Sequence, residues 1–122
     1  MTARVWQQAE GAGVAVAGLG IAALTSPGWG WWLWILILLA PDLTMLGYLA
    51  GPRVGAVTYN LGHIYALPLL LAVAGVAIGA TVLLAIGGVW LAHVGIDRML
   101  GYGLKLPSGF QDTHMGRIGR DR

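Results

Sequence analysis

The chain has 122 residues, of which 57% are hydrophobic and only 10% charged, with a mean hydropathy of +0.74. A soluble domain carries about 25% charged residues, so the composition excludes that class and points to a single-domain integral membrane protein. A net charge of +2 is too small to suggest a nucleic-acid binder, and the lack of cysteine excludes disulfides and thiolate metal sites.

The expected fold is all-α, an integral membrane bundle of four transmembrane helices at about 5–25, 29–50, 55–74 and 76–100, with a polar tail at 101–122. The first segment is rich in glycine and alanine (Gly11, Gly13, Ala15, Ala17, Gly18, Gly20), which lets helix backbones approach closely. It reads as a retained helix rather than a signal peptide, because no clean small-x-small cleavage site precedes Ser26-Pro27-Gly28. Trp29, Trp31, Trp32 and Trp34 open the second segment as an aromatic belt at a membrane–water interface. Within that segment Pro41 removes a backbone hydrogen bond and favours a kink, with Asp42 directly after it. Gly51-Pro52-Arg53 makes a turn into the third segment, which carries Thr58, Tyr59, Asn60, His63 and Tyr65. The run from Leu61 to Leu100 is too long for one span of about 20 residues. Two antiparallel helices with a very short connection near Gly75-x-x-x-Gly79 fit it best, and Gly87, Gly88 and Gly95 give the fourth helix a thin face.

Four spans put both termini on one side. With that side cytoplasmic, Arg4, Arg53, Arg98, Lys105, Arg117, Arg120 and Arg122 all lie inside, and the opposite loops around Pro27 and Gly75 carry no Lys or Arg. This pattern satisfies the positive-inside rule and predicts a protein of the cell (inner) membrane with both termini cytoplasmic.

Ionisable residues inside a span are costly and face a bundle interior or a watery cavity. Asp42 lies eight residues before Ala50, His63 eight after Gly55, and His93 eight before Gly101. At the rise of an α-helix each sits about 12 Å from the cytoplasmic end of its own segment. Asn60 and Asp97 lie about one turn nearer the cytoplasm on the faces of His63 and His93, and Tyr59 shares the His63 face. Two imidazoles and one or two carboxylates suit Zn²⁺, or Fe²⁺ or Mn²⁺ in a facial triad. An incomplete ligand set leaves a place for water, whose pKa the metal lowers.

The expectation is therefore a divalent metal (Zn, Fe or Mn) held by Asp42, His63, His93 and Asp97. Asp97 is a ligand or general base, and Asn60 or Tyr59 polarises a lipid or other amphipathic substrate. Arg98 and Lys105 face headgroups and could receive a substrate phosphate. Asp112 and His114 contribute only if the tail folds back over the site. Three other readings stand beside this one. Asp42 can pair with a histidine or Arg98 for packing alone. His63 and His93 on facing helices suit a haem, although the neighbouring carboxylates argue against it. The four residues also suit a proton or ion path, which without an internal inverted repeat would need a homo-oligomeric channel.

Pro41-Asp42-Leu-Thr-Met-Leu-Gly-Tyr-Leu, Tyr59-Asn60-Leu-Gly-His63, Trp90-Leu-Ala-His93-Val-Gly-Ile-Asp97-Arg98 and Gly101-Tyr-Gly-Leu-Lys105-x-Pro107-x-Gly-Phe110-x-Asp112-Thr-His114 resemble the four-helix membrane family called domain of unknown function 4260. That resemblance covers nearly everything after Trp29 and implies no activity. A Pro-Asp, a later His and a His-x-x-x-Asp are distantly similar to the YdjM-type membrane metal-dependent hydrolases, and the last piece resembles zinc-dependent phospholipase C. By that resemblance Asp42, His63, His93 and Asp97 would be metal ligands. The histidine-rich first motifs of those families are replaced here by Tyr59-Asn60-Leu-Gly-His63, which favours one metal or none over two.

Overall fold

The structure is a computed structural model that describes residues 1–119. Arg120 and Arg122, counted above among the basic residues of one side, lie outside the described residues. In chain order the elements are α1 (Ala3–Leu24), α2 (Trp31–Leu39), a 3₁₀ helix (Ala40–Ala50), α3 (Pro52–Gly62), α4 (Ala66–Ile78), α5 (Thr81–Leu100) and a two-stranded antiparallel hairpin of β1 (Lys105–Leu106) and β2 (Gly109–Thr113). The fold is an all-α bundle with a small β appendage. Three helical runs are long and apolar enough to cross a membrane, namely Trp31–Ala50, Pro52–Ile78 and Thr81–Leu100. The chain is therefore a membrane-type protein.

The remaining helix, α1, has 22 residues, but Gln7, Gln8 and Glu10 dilute its apolar character. It owes its place to packing. Its buried residues Gly11, Ala15, Gly18 and Ala22 form one stripe that faces α5. Gly11 meets Gly95 and Arg98, and Gly18 meets Gly88 and Ala92, so the two helices run antiparallel at backbone contact. Helix α4 turns into α5 through Gly79 and Ala80, four residues beyond the junction expected at Gly75. Gly79 adopts φ 69°, the left-handed conformation that ends a helix cheaply only at glycine. The exposed Trp31 and Trp32 stand at the far end of the bundle, and Trp29 packs on Trp34 with ring centroids 4.8 Å apart.

Two of the expected spans are not continuous α-helices. In the second, the missing N–H of Pro41 and its ring tighten the chain into 3₁₀ geometry for 11 residues, well beyond the usual three or four. Thr side chains bond the carbonyls that this geometry leaves poorly satisfied. Thr44 Oγ1 donates to Pro41 O (2.7 Å) and Thr58 Oγ1 donates to Thr44 O (2.8 Å), which ties α3 to the 3₁₀ helix. The third span breaks at 63–65, so 55–74 is two helices. Pro68 supplies the reason: in a continuous helix its ring would clash with the carbonyl of Ile64.

Tyr48, on the 3₁₀ helix, has a buried hydroxyl with no hydrogen-bond partner among the described residues. A polar group buried without a partner costs about 1–3 kcal/mol. Tyr48→Phe keeps the ring and its edge contact with Phe110 (5.3 Å). Thermal unfolding in detergent should therefore show a stabilisation of about 1 kcal/mol. A loss of stability would show that the hydroxyl has a partner the fold depends on.

Candidate metal centre

The two irregular spans create the site. Because Pro41 has no N–H, the carbonyl of Leu38 lacks its 3₁₀ donor, and His93 Nδ1 on α5 fills the gap at 2.6 Å. At the second break His63 gives its backbone N–H to Asn60 O, and its ring Nδ1 bonds Tyr59 O at 2.7 Å. The other carbonyls freed there are also capped: Trp90 Nε1 donates to Gly62 O (2.7 Å) and Arg98 Nη2 to His63 O (2.6 Å). Backbone groups within a bilayer must be satisfied internally, and here side chains do it.

A carbonyl only accepts, so each histidine carries its proton on Nδ1 and, when neutral, presents a lone pair on Nε2. Those two Nε2 atoms lie 3.1 Å apart, and each lies 3.1 Å from Asp42 Oδ1. Asp97 Oδ2 is 3.5 Å from His63 Nε2 and 3.4 Å from His93 Nε2. All four donor atoms fall within 4.8 Å of one another. At most one Nε2 can carry a proton at such a contact, and one proton cannot occupy every edge of the cluster. A divalent cation at its centre satisfies all four atoms at once. Ligand distances of about 2.0–2.2 Å around tetrahedral Zn²⁺ place neighbouring ligand atoms about 3.3–3.6 Å apart, close to the edges seen here. The four residues can therefore hold a metal ion. The 3.1 Å contact between the histidines leaves no room for the porphyrin of a haem between them.

The histidines form the buried floor of the site, with side chains 0% and 7% exposed, while Asp42 is 38% exposed and opens one side of it. Tyr59 is buried and stacks on the His63 ring, with centroids 3.7 Å apart and planes 5° apart.

Other expected site residues are placed differently. Asn60 was expected beside the substrate, but its amide is committed to the tail. It donates through Nδ2 to Lys105 O (3.0 Å) and accepts from Lys105 N at Oδ1 (2.7 Å), which pins β1 to α3. Lys105 does not face headgroups. It is buried, with Nζ 3.7 Å from the Phe110 ring centroid and 4.9 Å from that of Tyr59, and burial lowers its pKa. Arg98 is likewise buried, with two of its N–H groups committed to the carbonyls of Tyr102 and His63. The tail does fold back, yet Asp112 and His114 stand outside the four-residue cluster. Asp112 pairs with Ser108 and Arg117 (2.6 Å) on the surface, and the Ser108 bond leads in holding its carboxyl below the usual range. His114 accepts the Leu104 N–H at Nδ1 (2.8 Å).

Sequence reasoning missed the carbonyls of Leu38 and Tyr59 that orient the two imidazoles. Pro41 and Pro68 were the available signals, since each proline disturbs the backbone bonding of its own span.

Comparison of the chain with curated proteins and with solved structures found no match. The model of the family described as Domain of unknown function (DUF4260) matches residues 4–118, nearly the whole chain, and the protein belongs to that family.

Proposed function

We propose that the protein is a membrane-embedded, divalent-metal-dependent hydrolase acting on an amphipathic substrate at the cytoplasmic leaflet. One observation carries this reading: two imidazoles with fixed Nδ1 protons and two carboxylates aim four electron pairs at one point inside an apolar bundle. Asp42, His63 and His93 form the tighter set, with edges of 3.1 Å. Asp97 stands farther out at 3.4–3.5 Å, so it is the group that can yield its place to water and accept the proton. A divalent metal held by these residues would lower the pKa of water and so supply hydroxide near neutral pH. An apolar cavity of about 240 Å³ lies beside the cluster, lined by Ile37, Pro41, Thr44, Gly62, Ile86 and Trp90. Pro41 and Gly62 directly precede Asp42 and His63, so an acyl chain in the cavity would bring its polar end to the metal. Among the described residues, all of the Arg and Lys side chains flank the hairpin end of the bundle, which supports a cytoplasmic placement of that end.

The closed set of four protein donors favours a second reading, a structural metal that cross-links the broken spans. Detergent-purified protein loaded with Zn²⁺, Fe²⁺ or Mn²⁺ and offered long-chain carboxyl and phosphate esters separates the two. Under the hydrolase reading, Asp97→Asn retains the metal and loses about 100-fold or more in turnover, the scale of a missing general base. Full metal loading with no turnover of either ester class would overturn it in favour of the structural site.

A further inference from the structure

A polar pocket that shares no residue with the metal cluster lies beside the helix break. It has a volume of about 230 Å³ and is lined by Gln7 and Glu10 of α1, Tyr65 at the helix break, Arg98 of α5, and Leu104 and His114 of the tail. Arg98 is 5% exposed. Of its five N–H groups, two donate to backbone carbonyls, Nη1 to Tyr102 O (2.9 Å) and Nη2 to His63 O (2.6 Å). Among the described residues the remaining three have no hydrogen-bond partner; the guanidinium lies 5.8 Å from the Tyr65 ring centroid, and the charge of Asp97 acts on it only from beyond ion-pair distance. A charge buried at membrane depth normally has a counter-charge or marks a functional site.

The tail adds a second donor. His114 accepts the Leu104 N–H at Nδ1, so its neutral ring carries its proton on Nε2 and is a donor there. The amide of Gln7 and the hydroxyl of Tyr65 complete a donor-rich lining, and Glu10, exposed on α1, is the only acid in it. Burial lowers the pKa of His114, and the nearby charge of Arg98 lowers it further.

We propose that this pocket is a binding site for a phosphate oxyanion, gripped by the free N–H groups of Arg98 and by His114 at the hairpin end of the bundle. Arginine is suited to this task because its planar fork matches phosphate oxygens pairwise. The site shares no lining residue with the metal cluster and stands whether or not the protein hydrolyses anything. The anion is either free phosphate or the phosphate of an anionic lipid.

The test follows the His114 imidazole resonances of the full chain in phosphatidylcholine nanodiscs. One arm titrates inorganic phosphate, and the other replaces part of the lipid with phosphatidic acid and omits free phosphate. A saturable shift in the first arm identifies a free anion, and a shift confined to the second identifies a lipid headgroup. No shift in either arm overturns the proposal. Substituting Arg98 would also strip the carbonyls of His63 and Tyr102, so the variants are made on α1. Gln7→Glu, which adds a second acid, should weaken binding about tenfold, and Glu10→Gln should tighten it severalfold, as expected for adding or removing a charge at a partly buried anion site. If both folded variants bind like the parent, the ion is adventitious and the assignment fails. Asp42→Asn, at the metal cluster, should leave the shift intact; its loss there would place the anion on the metal instead.

Discussion

Under the proposed metal reading, Asp42→Asn protein, purified in detergent, is expected to retain less than about a tenth of the divalent ion that the parent binds when loaded at one equivalent per chain. Loss even of a group that only orients a ligand typically lowers metal affinity 10–100-fold, and loss of a direct ligand lowers it further. This substitution keeps both imidazole-to-carbonyl bonds, so the backbone geometry of the site survives. His93→Ala should abolish metal as completely, but it also strands the Leu38 carbonyl, an added cost of about 1–3 kcal/mol. Elemental analysis before and after chelation measures the occupancy, and thermal unfolding measures the coupling. An ion present at a thousand times its dissociation constant stabilises the folded state by about 4 kcal/mol, so chelation should lower the parent's stability by that order and leave Asp42→Asn unmoved. A variant that keeps a full equivalent of metal would remove Asp42 from the ligand set.

Gly18→Leu should separate α1 from α5. A Cβ at Gly18 would stand 2.5 Å from Gly88 O and 2.7 Å from Ala92 N, and these backbone atoms cannot step aside without moving a whole helix. Ordinary overpacking costs about 1–3 kcal/mol where side chains can adjust. Here only backbone yields, so the loss should reach or exceed the top of that range. Gly20→Leu is the control. Nothing lies within 4 Å of its Cβ position, and replacing an exposed helical glycine gains up to about 1 kcal/mol in helix propensity. Unfolding of both variants in the same detergent should therefore give shifts of opposite sign. Equal behaviour would mean that α1 does not hold its place through this stripe.

Much of the architecture was legible because a bilayer narrows the options. Apolar runs of span length gave the helices, the glycine stripe gave the close α1–α5 approach, and equal offsets from the helix ends gave a common depth for Asp42, His63 and His93. The i, i+4 relations survived as well, since Tyr59 stacks on His63 and His93 meets Asp97. What stayed hidden depends on partners distant in sequence. Asn60 bonds a backbone 45 residues away, and Arg98 caps a carbonyl 35 residues away. No local pattern encodes either contact, and both residues look from sequence like groups meant for solvent or substrate. The β hairpin was also hidden, because two short strands in a glycine-rich tail carry too little alternation to be read.

The pairing of α1 with α5 bears on biogenesis. Helix α1 is synthesised before its main partner, α5, with the other described spans made in between. Until α5 is in place, α1 must persist beside lipid with Glu10 and two glutamines on it and a bare glycine seam uncovered. Contacts between such distant segments form late and slowly. A chain truncated before Thr81 should therefore hold its N-terminal helix poorly in the bilayer and be cleared by membrane quality control.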